Sequence, residues 1–328
     1  MPASSLPVVA DLDVHVVSVP MRVPFRGVRH REALLLQGPA GWGEFSPFLE
    51  YDDDEASRWL ASAVESATVG WPAAVRTSVP VNATVPAVAA ADVPAVLARF
   101  PGCTTAKVKV AQAGQVLADD VARVAAVRAA LGPTGRVRVD ANAAWTLAEA
   151  RAALKALAPF DLEYAEQPCA SLKDLAALRG RGVLIAADES IRKAADPLRV
   201  ALAGAADLVV LKVAPLGGAH RALEVAEACG LPVVVSSALD TSIGIAAGVA
   251  LAAALPELPY ACGLATTSLL AGDVVRPSLD GHGGTIAVGP VSPAPDLLTS
   301  LAAPPDRERW WRDRLARCAA VLAGGSGA

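Results

Sequence analysis

The sequence predicts an α/β fold in which a (β/α)8-type barrel, a TIM-like architecture, follows a small α+β domain. From Val81 to Leu264, short valine-rich runs alternate with alanine-rich helical runs, with one strand about every 25 residues. Before Val81 the order is different, because strands come first and a helix follows them. Regular alternation of strand and helix indicates a parallel sheet, and the eight strand candidates match the number that closes a barrel.

The first part of the chain is expected to form the α+β domain, over residues 1–78. Strands are predicted at Leu12–Val19 and Ala33–Gln37, and Gly41–Glu44 continues the second hairpin. A helix is predicted over Asp54–Ala67, because its first turn is acidic and suits the positive end of a helix.

The barrel is expected to span residues 79–270, and a turn-rich C-terminal segment with a surface helix at Asp306–Leu322 is expected over residues 271–328. The strand candidates are Val81–Val85, Ala106–Val110, Arg136–Asp140, Leu162–Glu166, Val183–Asp188, Asp207–Val213, Pro232–Ser237 and Tyr260–Leu264. The helix candidates between them are Leu117–Leu131, Leu147–Leu157, Leu172–Leu178, Pro197–Leu202, Arg221–Cys229 and Ile243–Leu255. A doubly wound sheet has the same alternation, and the count of eight favours the barrel.

The composition excludes several classes of protein. With 328 residues, 53% hydrophobic and 19% charged, the chain can bury a large core and is not disordered. A net charge of −4 argues against a nucleic-acid partner, and the longest apolar stretch, Ile243–Leu255, is too short to cross a membrane. Five scattered cysteines without C-x-x-C spacing, and no visible secretory signal, indicate reduced thiols and a cytoplasmic protein.

Three consecutive barrel strands end in a carboxylate, at Asp140, Glu166 and Asp188. The carboxyl ends of the strands form the catalytic face of a parallel barrel, so these side chains should meet there. A single acid at such a position is more often a helix cap or a salt-bridge partner, but three in succession favour a metal site. Oxygen ligands of this kind suit Mg²⁺, with Mn²⁺ able to substitute.

Lysine is rare in the chain, with six lysines against 23 arginines, yet three lysines interrupt apolar barrel strands. Lys107 and Lys109 share one face of the second strand, and Lys212 lies in the sixth. Lysine can lose its proton and arginine cannot, so these positions suggest groups that titrate. Lys109 and Lys212 would stand on opposite sides of a carbon next to a metal-bound substrate carboxylate, and Lys107 would lower the pKa of Lys109.

Taken together, these motifs resemble those of the enolase superfamily, in its muconate-lactonizing-enzyme subgroup. The matching stretches are Lys107-Val-Lys109, Asp140-Ala-Asn142 with Trp145, Glu166-Gln-Pro168, Asp188-Glu189-Ser190, Lys212 before Gly217-Gly218, and Gly41-Trp-Gly-Glu44. The resemblance implies a modified TIM barrel, with an N-terminal capping domain to which the C-terminal segment returns. It also implies Mg²⁺ ligation by Asp140, Glu166 and Asp188, general base or acid chemistry at Lys109 and Lys212, and pKa tuning by Lys107.

Within the subgroup, the chain is most similar to the dehydratases of menaquinone biosynthesis, which form o-succinylbenzoate from 2-succinyl-6-hydroxy-2,4-cyclohexadiene-1-carboxylate. The short chain, the Arg138-Val-Asp140-Ala-Asn142 run and the Ser236–Gly244 stretch carry this similarity. The implied reaction is α-proton abstraction by Lys109 followed by syn elimination of water. The N-acylamino-acid racemases and dipeptide epimerases share every catalytic residue and are the alternative, and a non-catalytic binding barrel is a remote one.

The expected partner is a small-molecule carboxylate, and the sequence leaves the oligomeric state open. The residues expected to bind it are Arg138, Asn142, Ser236, Ser237 and Gly217, the last through a turn whose N–H groups could hold an anion. Four arginines also crowd a short stretch of the first domain, at Arg22, Arg26, Arg29 and Arg31. They form either a cationic lid for a second substrate carboxylate or a solvated basic loop.

Overall fold

The structure is a computed structural model that describes residues 9–25, 27–192 and 198–325. Within these ranges, no helix combines the length and the apolar character needed to cross a membrane.

An antiparallel three-stranded sheet opens the chain, in the order β1 (Asp13–Phe25), β2 (Val28–Gly38) and β3 (Gly41–Phe45), and helix α1 (Asp53–Thr68) packs on it. Helix α1 begins one residue before the predicted start, and Asp52 caps it, because its carboxylate accepts the Glu55 N–H at 2.8 Å. Strand β1 runs past the predicted end at Val19, through two prolines that an edge strand tolerates.

Strand β2 is apolar on both faces, and each face is covered by a different part of the chain. Leu34 and Leu36 lie in the main core with helix α1. Leu35 packs in a second cluster with Leu270 and Val274, far along the sequence. A strand that is covered on both sides reads as a continuous apolar run, which explains the Ala33–Leu36 stretch.

Short strands and helices alternate through the middle of the chain. In order they are β4 (Ser78–Pro80), β5 (Ala83–Val85), α2 (Val93–Leu97), β6 (Thr105–Lys109), α3 (Leu117–Leu131), β7 (Arg136–Asp140), α4 (Leu147–Leu157), β8 (Leu162–Glu166), α5 (Leu172–Leu178), β9 (Leu184–Ala187), α6 (Glu189–Arg192), α7 (Arg199–Leu202), β10 (Leu208–Leu211), α8 (Val213–Leu216), α9 (Ala219–Cys229), β11 (Val233–Val235) and α10 (Ser242–Ala254). Strands β5 to β11 form one curled parallel sheet in sequential order, as the modified TIM barrel requires.

The eighth predicted strand, Tyr260–Leu264, is reduced to two bridging residues. Cys262 pairs with Val81 and Gly263 pairs with Ser236, both in parallel. The Gly263 N–H donates to Val235 O at 2.8 Å, and the Asn82 N–H donates to Cys262 O at 2.9 Å, so this segment joins the two ends of the sheet. The backbone of Gly263 passes so close to Ser236 that a Cβ atom at Gly263 would lie 2.5 Å from Ser236 Oγ.

The first domain supplies a carboxylate to the N-terminus of each of two barrel helices. Glu44 at the end of β3 accepts the N–H groups of Thr241 and Gly244 at the start of α10. Glu65 of α1 accepts the Ala219 N–H at the start of α9, at 2.6 Å. Both contacts satisfy helix N–H groups that have no partner within their own helix, and each places negative charge at a positive helix end.

The end of the chain folds back on the first domain through β12 (Thr285–Ala287), α11 (Pro295–Ser300) and α12 (Pro305–Gly325). Strand β12 pairs antiparallel with β4. Helix α12 lies against α1, and its Arg307 and Trp311 donate to the Glu32 carboxylate of β2. The exposed edge of β1 is also covered, because the Ser18 N–H donates to Leu301 O and the Ala303 N–H donates to Val16 O.

Candidate active site

The predicted acids and lysines meet at one end of the barrel. Parallel pairing places Lys109 beside Asp140, and Asp140 beside Glu166, at the ends of β6, β7 and β8. Asp188 directly follows β9, and Lys212 directly follows β10. The structure therefore brings all six predicted catalytic and metal-ligating residues, including Lys107, to the carboxyl ends of five neighbouring strands.

Each of the three carboxylates is buried and bound by a lysine. Lys107 Nζ lies 2.8 Å from both oxygens of Glu166, and Lys109 Nζ lies 2.5 Å from Asp140 Oδ2. Lys212 Nζ lies 2.6 Å from Asp188 Oδ2. Because no carboxylate side chain here is more than 2% exposed, the lysines supply the positive charge that buried acids require.

Two further charged residues complete the cluster. Arg192 donates to Asp188 at 3.1 Å and to Glu189 at 2.6 Å, and Asn142 links Lys109 to Glu189. The sequence analysis did not select Arg192, although its position four residues after Asp188 on a short helical turn is the available signal. Four acids and four bases now balance: Asp140, Glu166, Asp188 and Glu189 against Lys107, Lys109, Lys212 and Arg192.

The surroundings shift the pKa values of these groups in different directions. Burial lowers the pKa of Lys109; the Asp140 carboxylate opposes this shift and the Lys107 ammonium adds to it. Burial also acts to lower the pKa of Lys107, but the Glu166 and Asp140 carboxylates outweigh it and hold that pKa above its usual range. Burial, together with the Asp140 carboxylate, raises the pKa of Glu166 to about 7. Lys109 is thus the lysine of this pair whose neutral form is favoured.

The three strand-end carboxylates offer only oxygen ligands, the donor type that Mg²⁺ prefers. In the arrangement described, lysines bind them, and no three acidic, histidine or cysteine side chains of the described residues form a group that could hold a metal ion. The expected ligand set is therefore not assembled here. Its donor chemistry fits a hard divalent cation, since the three carboxylates that share this barrel mouth offer only oxygen ligands.

Two adjoining cavities lie beside this cluster. The inner one, about 40 Å³, is lined by Lys107, Lys109, Asp140 and Lys212 together with Ser236, Ser237, Ala238 and Leu239. Its wall also contains Thr84 and Phe48. The outer one, about 470 Å³, shares Phe25, Lys109 and Asn142 with the inner one and is lined by Pro24, Pro86 and Val88. The outer cavity has the size of a small-molecule site, and its walls are largely apolar.

Thr84 is a candidate contact residue that the sequence analysis missed. It is 2% exposed, it lines the inner cavity, and its hydroxyl has no hydrogen-bond partner among the described residues. A buried hydroxyl without a partner is costly, so a ligand that bonded it would be favoured. The available sequence signal was a polar residue in the short first barrel strand, next to Lys107 in register.

Three of the five predicted substrate-binding residues, Asn142, Ser236 and Ser237, line the inner cavity. Arg138 does not, because it lies one inward-facing position below Asp140 on β7 and is completely buried. Its guanidinium donates to Glu163 at 2.6 Å, to Asn82 at 3.0 Å and to Ala261 O at 2.7 Å. These contacts place Arg138 in the floor of the barrel.

Gly217 also lies outside both cavities, and the N–H groups of its turn are engaged within the protein. The Gly217 N–H donates to Ala214 O at 3.1 Å, and the Gly218 N–H donates to Val213 O at 3.2 Å. The anion next to this turn is the Glu65 carboxylate of the first domain, which binds the following N–H of Ala219. The turn therefore receives an internal carboxylate where the sequence analysis expected a substrate.

The arginine-rich stretch is not a uniform lid. Arg22 and Arg29 are exposed, Arg31 is buried at 3% exposure, and Arg26 lies outside the described residues. Arg31 points away from solvent and donates to carbonyl groups of the barrel.

Unusual backbone conformations are concentrated at the barrel mouth. Among the described residues, six non-glycine residues have positive φ, and five of them follow barrel strands: Ala111, Asn142, Ala143, Gln167 and Leu239. The sixth, Asp161, precedes a strand at the other end. Such conformations persist where surrounding contacts hold them, and they are typical of functional sites.

Comparison with known proteins agrees with this geometry. A family model described as enolase N-terminal domain-like matches residues 16–67, and one described as enolase C-terminal domain-like matches residues 90–295. The chain is 58% identical over 311 residues to the o-succinylbenzoate synthase of Mycolicibacterium smegmatis, covering 94% of this chain and 96% of that protein. It is 57% identical over 305 residues to the o-succinylbenzoate synthase of Thermobifida fusca, covering 93% and 95%. Among solved structures, the muconate lactonizing enzyme of Pseudomonas fluorescens, complexed with muconolactone, has the same fold, with a TM-score of 0.77 at 22% identity over 89% of this chain and 98% of that one.

Proposed function

The chain belongs to the o-succinylbenzoate synthase family of the enolase superfamily and is a lyase, and from that premise we propose how its barrel mouth dehydrates its substrate. The reaction converts 2-succinyl-6-hydroxy-2,4-cyclohexadiene-1-carboxylate to o-succinylbenzoate, a step of menaquinone biosynthesis. The observation that carries the proposal is the pair Lys109 and Lys212, which line one cavity beside three buried carboxylates.

Lys109 is proposed as the base. Lys109 lines both cavities, and burial and the Lys107 ammonium lower its pKa, which favours the neutral form. The proton on the ring carbon beside the carboxylate passes to Lys109 Nζ. The bond from the ring to the hydroxyl oxygen then breaks, and the same Nζ returns a proton to that oxygen, so water leaves and the ring becomes aromatic.

Lys212 is proposed to remain protonated and to stabilise the negative charge that builds up on the substrate. Three strands, β7 to β9, separate β6 from β10, so the two lysines enter the cavity from different sides. The contact of Lys212 with Asp188, at 2.6 Å, holds its ammonium at the cavity wall.

Asp140, Glu166 and Asp188 are proposed to hold Mg²⁺, with Mn²⁺ able to substitute. When bound, the cation supplies positive charge close to the enolate formed by proton removal. The charge count is compatible with this. With Lys109 neutral, as the proposed base requires, the four acids and the remaining three cations carry one net negative charge, and a divalent cation would change it to one net positive charge, which favours an anionic substrate.

The substrate is proposed to lie across the two cavities, with its ring at Lys109 and its apolar face toward Phe25 and Pro86 in the outer one. Polar contacts are available from the unpartnered Thr84 hydroxyl and from Ser237, whose Oγ lies 2.6 Å from Thr266 Oγ1. Small-molecule sites commonly combine apolar walls with a few placed polar groups of this kind.

A second candidate activity, racemisation or epimerisation of N-acylamino acids, is favoured by one observation: lysines reach the same cavity from two sides, as proton removal on one face and return on the other requires. The deciding experiment measures kcat/KM of the unmutated protein on the cyclohexadiene, followed by ultraviolet absorbance, and on N-succinylamino acids. We expect the dehydration to be the more efficient reaction. Faster racemisation would replace the synthase assignment with the racemase one.

A further inference from the structure

One wall of the inner cavity is made by a strained loop after strand β11. Ala238 and Leu239 both line the cavity, and Leu239 has a φ of 65°, in the left-handed region that bulky residues rarely adopt. This conformation needs outside contacts to hold it, because leucine gains nothing from it locally.

Within the barrel, the Ala238 N–H donates to the Asp240 carboxylate at 3.0 Å, and the contacts to the loop carbonyls of Ala238 and Leu239 come from the first domain. Arg31 of β2 donates through Nε to Leu239 O at 3.0 Å and through Nη2 to Ala238 O at 3.2 Å. The same Nη2 donates to Ser46 Oγ at 2.8 Å and to the Ser46 carbonyl. Because Arg31 is 3% exposed, these bonds are shielded from water and connect the two domains rigidly.

Glu44 holds the far end of the same loop. Its carboxylate accepts the Thr241 hydroxyl at 2.6 Å and the Thr241 N–H at 3.1 Å, and it accepts Ser46 Oγ at 2.7 Å. Ser46 therefore connects Arg31 to Glu44, and the three side chains form a bracket that spans the loop from Ala238 to Thr241. Arg31 also lies over the ring of Phe48, at 5.0 Å, and Phe48 is a second part of the cavity wall.

We propose that Arg31 is a positioning residue that sets substrate selectivity: it fixes the shape of the Ala238–Leu239 wall from outside the cavity. Its planar guanidinium reaches two barrel carbonyls and Ser46 at once, and a lysine ammonium lacks this geometry. The selectivity of the barrel is then determined in part by a side chain of the first domain that does not line the cavity. The inference rests on the proposed function only for the substrate used in the assay.

The test compares Arg31→Lys with Arg309→Lys, an exposed arginine on α12, in the full chain. For Arg31→Lys we expect KM for the cyclohexadiene to rise about tenfold or more, with a smaller change in kcat, and the ratio of dehydration to N-succinylamino-acid racemisation to fall. Arg309→Lys should leave both constants unchanged. A loss of the same factor in both activities would show that Arg31 only supports stability, and would overturn the proposal.

A double-mutant cycle with Leu239→Gly tests the link to the strained residue. Glycine adopts this φ without strain. Arg31→Lys should therefore raise KM by a smaller factor in the Leu239→Gly background than in the unmutated protein. Independent effects, whose fold-changes simply multiply, would contradict the coupling. If Arg31→Lys does not fold, Ser46→Ala removes the hydroxyl of the bracket and should shift the activity ratio in the same direction by a smaller factor, whereas an unchanged ratio overturns the proposal.

A separate measurement distinguishes failure of this inference from failure of the proposed function. If the unmutated protein does not dehydrate the cyclohexadiene, the proposed function fails, and the wall is then followed by hydrogen exchange at the amides of residues 237–241. Faster exchange there in Arg31→Lys than in Arg309→Lys supports the positioning role, and equal exchange refutes it.

Discussion

The anchor of the C-terminal helix offers a quantitative test of the fold. Glu32 on β2 accepts two nitrogens of Arg307, at 2.9 and 2.6 Å, and the Trp311 indole N–H at 2.8 Å. Its side chain is 15% exposed, and Trp311 is 1% exposed. Replacing Glu32 with Gln removes the charge and leaves a single acceptor oxygen for these donors.

These contacts give the expected loss in the free energy of unfolding when Glu32 is replaced with Gln. A hydrogen bond to a charged partner contributes about 1.5–3 kcal/mol, and partial exposure of Arg307 reduces its share. We therefore expect Glu32→Gln to lower the free energy of unfolding by about 2 kcal/mol at pH 7. The control is Glu308→Gln, which breaks an exposed pair with Arg312 on the same helix and should cost about 0.3–0.5 kcal/mol.

The shifted pKa of Glu32 predicts the direction in which its contribution to stability changes with pH. Burial acts to raise the pKa of Glu32, but the bonds from Arg307 and Trp311 outweigh it and hold the pKa below its ordinary value of 4.5. A lowered folded-state pKa contributes stability that is present above the unfolded pKa and is lost as pH falls through the folded one. In urea unfolding, the unmutated protein should therefore have a higher free energy of unfolding than Glu32→Gln at pH 7, and this difference should become smaller below about pH 4.5. If the two proteins have the same free energy of unfolding at pH 7, or if the difference does not change with pH, Glu32 does not stabilise the fold through its charge.

The other predictions concern the site and the packing of strand β3 on helix α1 within the first domain. Chelation should abolish dehydration and Mg²⁺ or Mn²⁺ should restore it; full turnover after rigorous metal removal contradicts the ligand assignment. Lys109→Arg should lose about 10²–10⁴-fold in kcat, since guanidinium stays protonated, and near-normal turnover would exclude Lys109 as the base. Lys212→Arg should keep measurable dehydration but lose deuterium exchange of N-acylamino acids at that face, as followed by NMR, and equal loss of both argues against a purely electrostatic role. Gly43→Ala should cost about 1–3 kcal/mol in thermal unfolding, because its Cβ would lie 1.9 Å from Ala63 O, whereas Gly289→Ala, with open space around it, should cost far less.

Local signals predicted local structure well. Helices α3, α4 and α5 begin and end where the periodicity placed them, and in the structure α4 has a capping box, with Thr146 and Glu149 bonded to each other. The order of acids and lysines along the chain also predicted their meeting place, because a parallel barrel brings all strand ends to one face.

Features that depend on distant partners could not be predicted in this way. The predicted eighth strand forms only two bridges among the described residues, to Val81 and Ser236, and these partners lie far from it in the sequence. Arg138 was selected from the motif that it shares with Asp140, and its contacts with Glu163 and the Ala261 carbonyl depend on residues that the motif does not contain. Arg31 was predicted to belong to a cationic lid or a solvated basic loop, and its burial could not be predicted because its acceptors in the barrel lie more than 200 residues away.

The covering of the first domain's sheet by the end of the chain constrains the order of events during synthesis. Strands β1 to β3 are synthesised before the barrel, but among the described residues the edge of β1 and the outer face of β2 are covered by Ile243 and by residues from Leu270 onward. Until translation reaches that point, the nascent chain carries an unpaired strand edge and the apolar side chains of Val17, Val19 and Leu35 without cover. The first domain is thus synthesised before the barrel and completed after it, and during that interval its uncovered strand edge and apolar face are open to pairing with other chains.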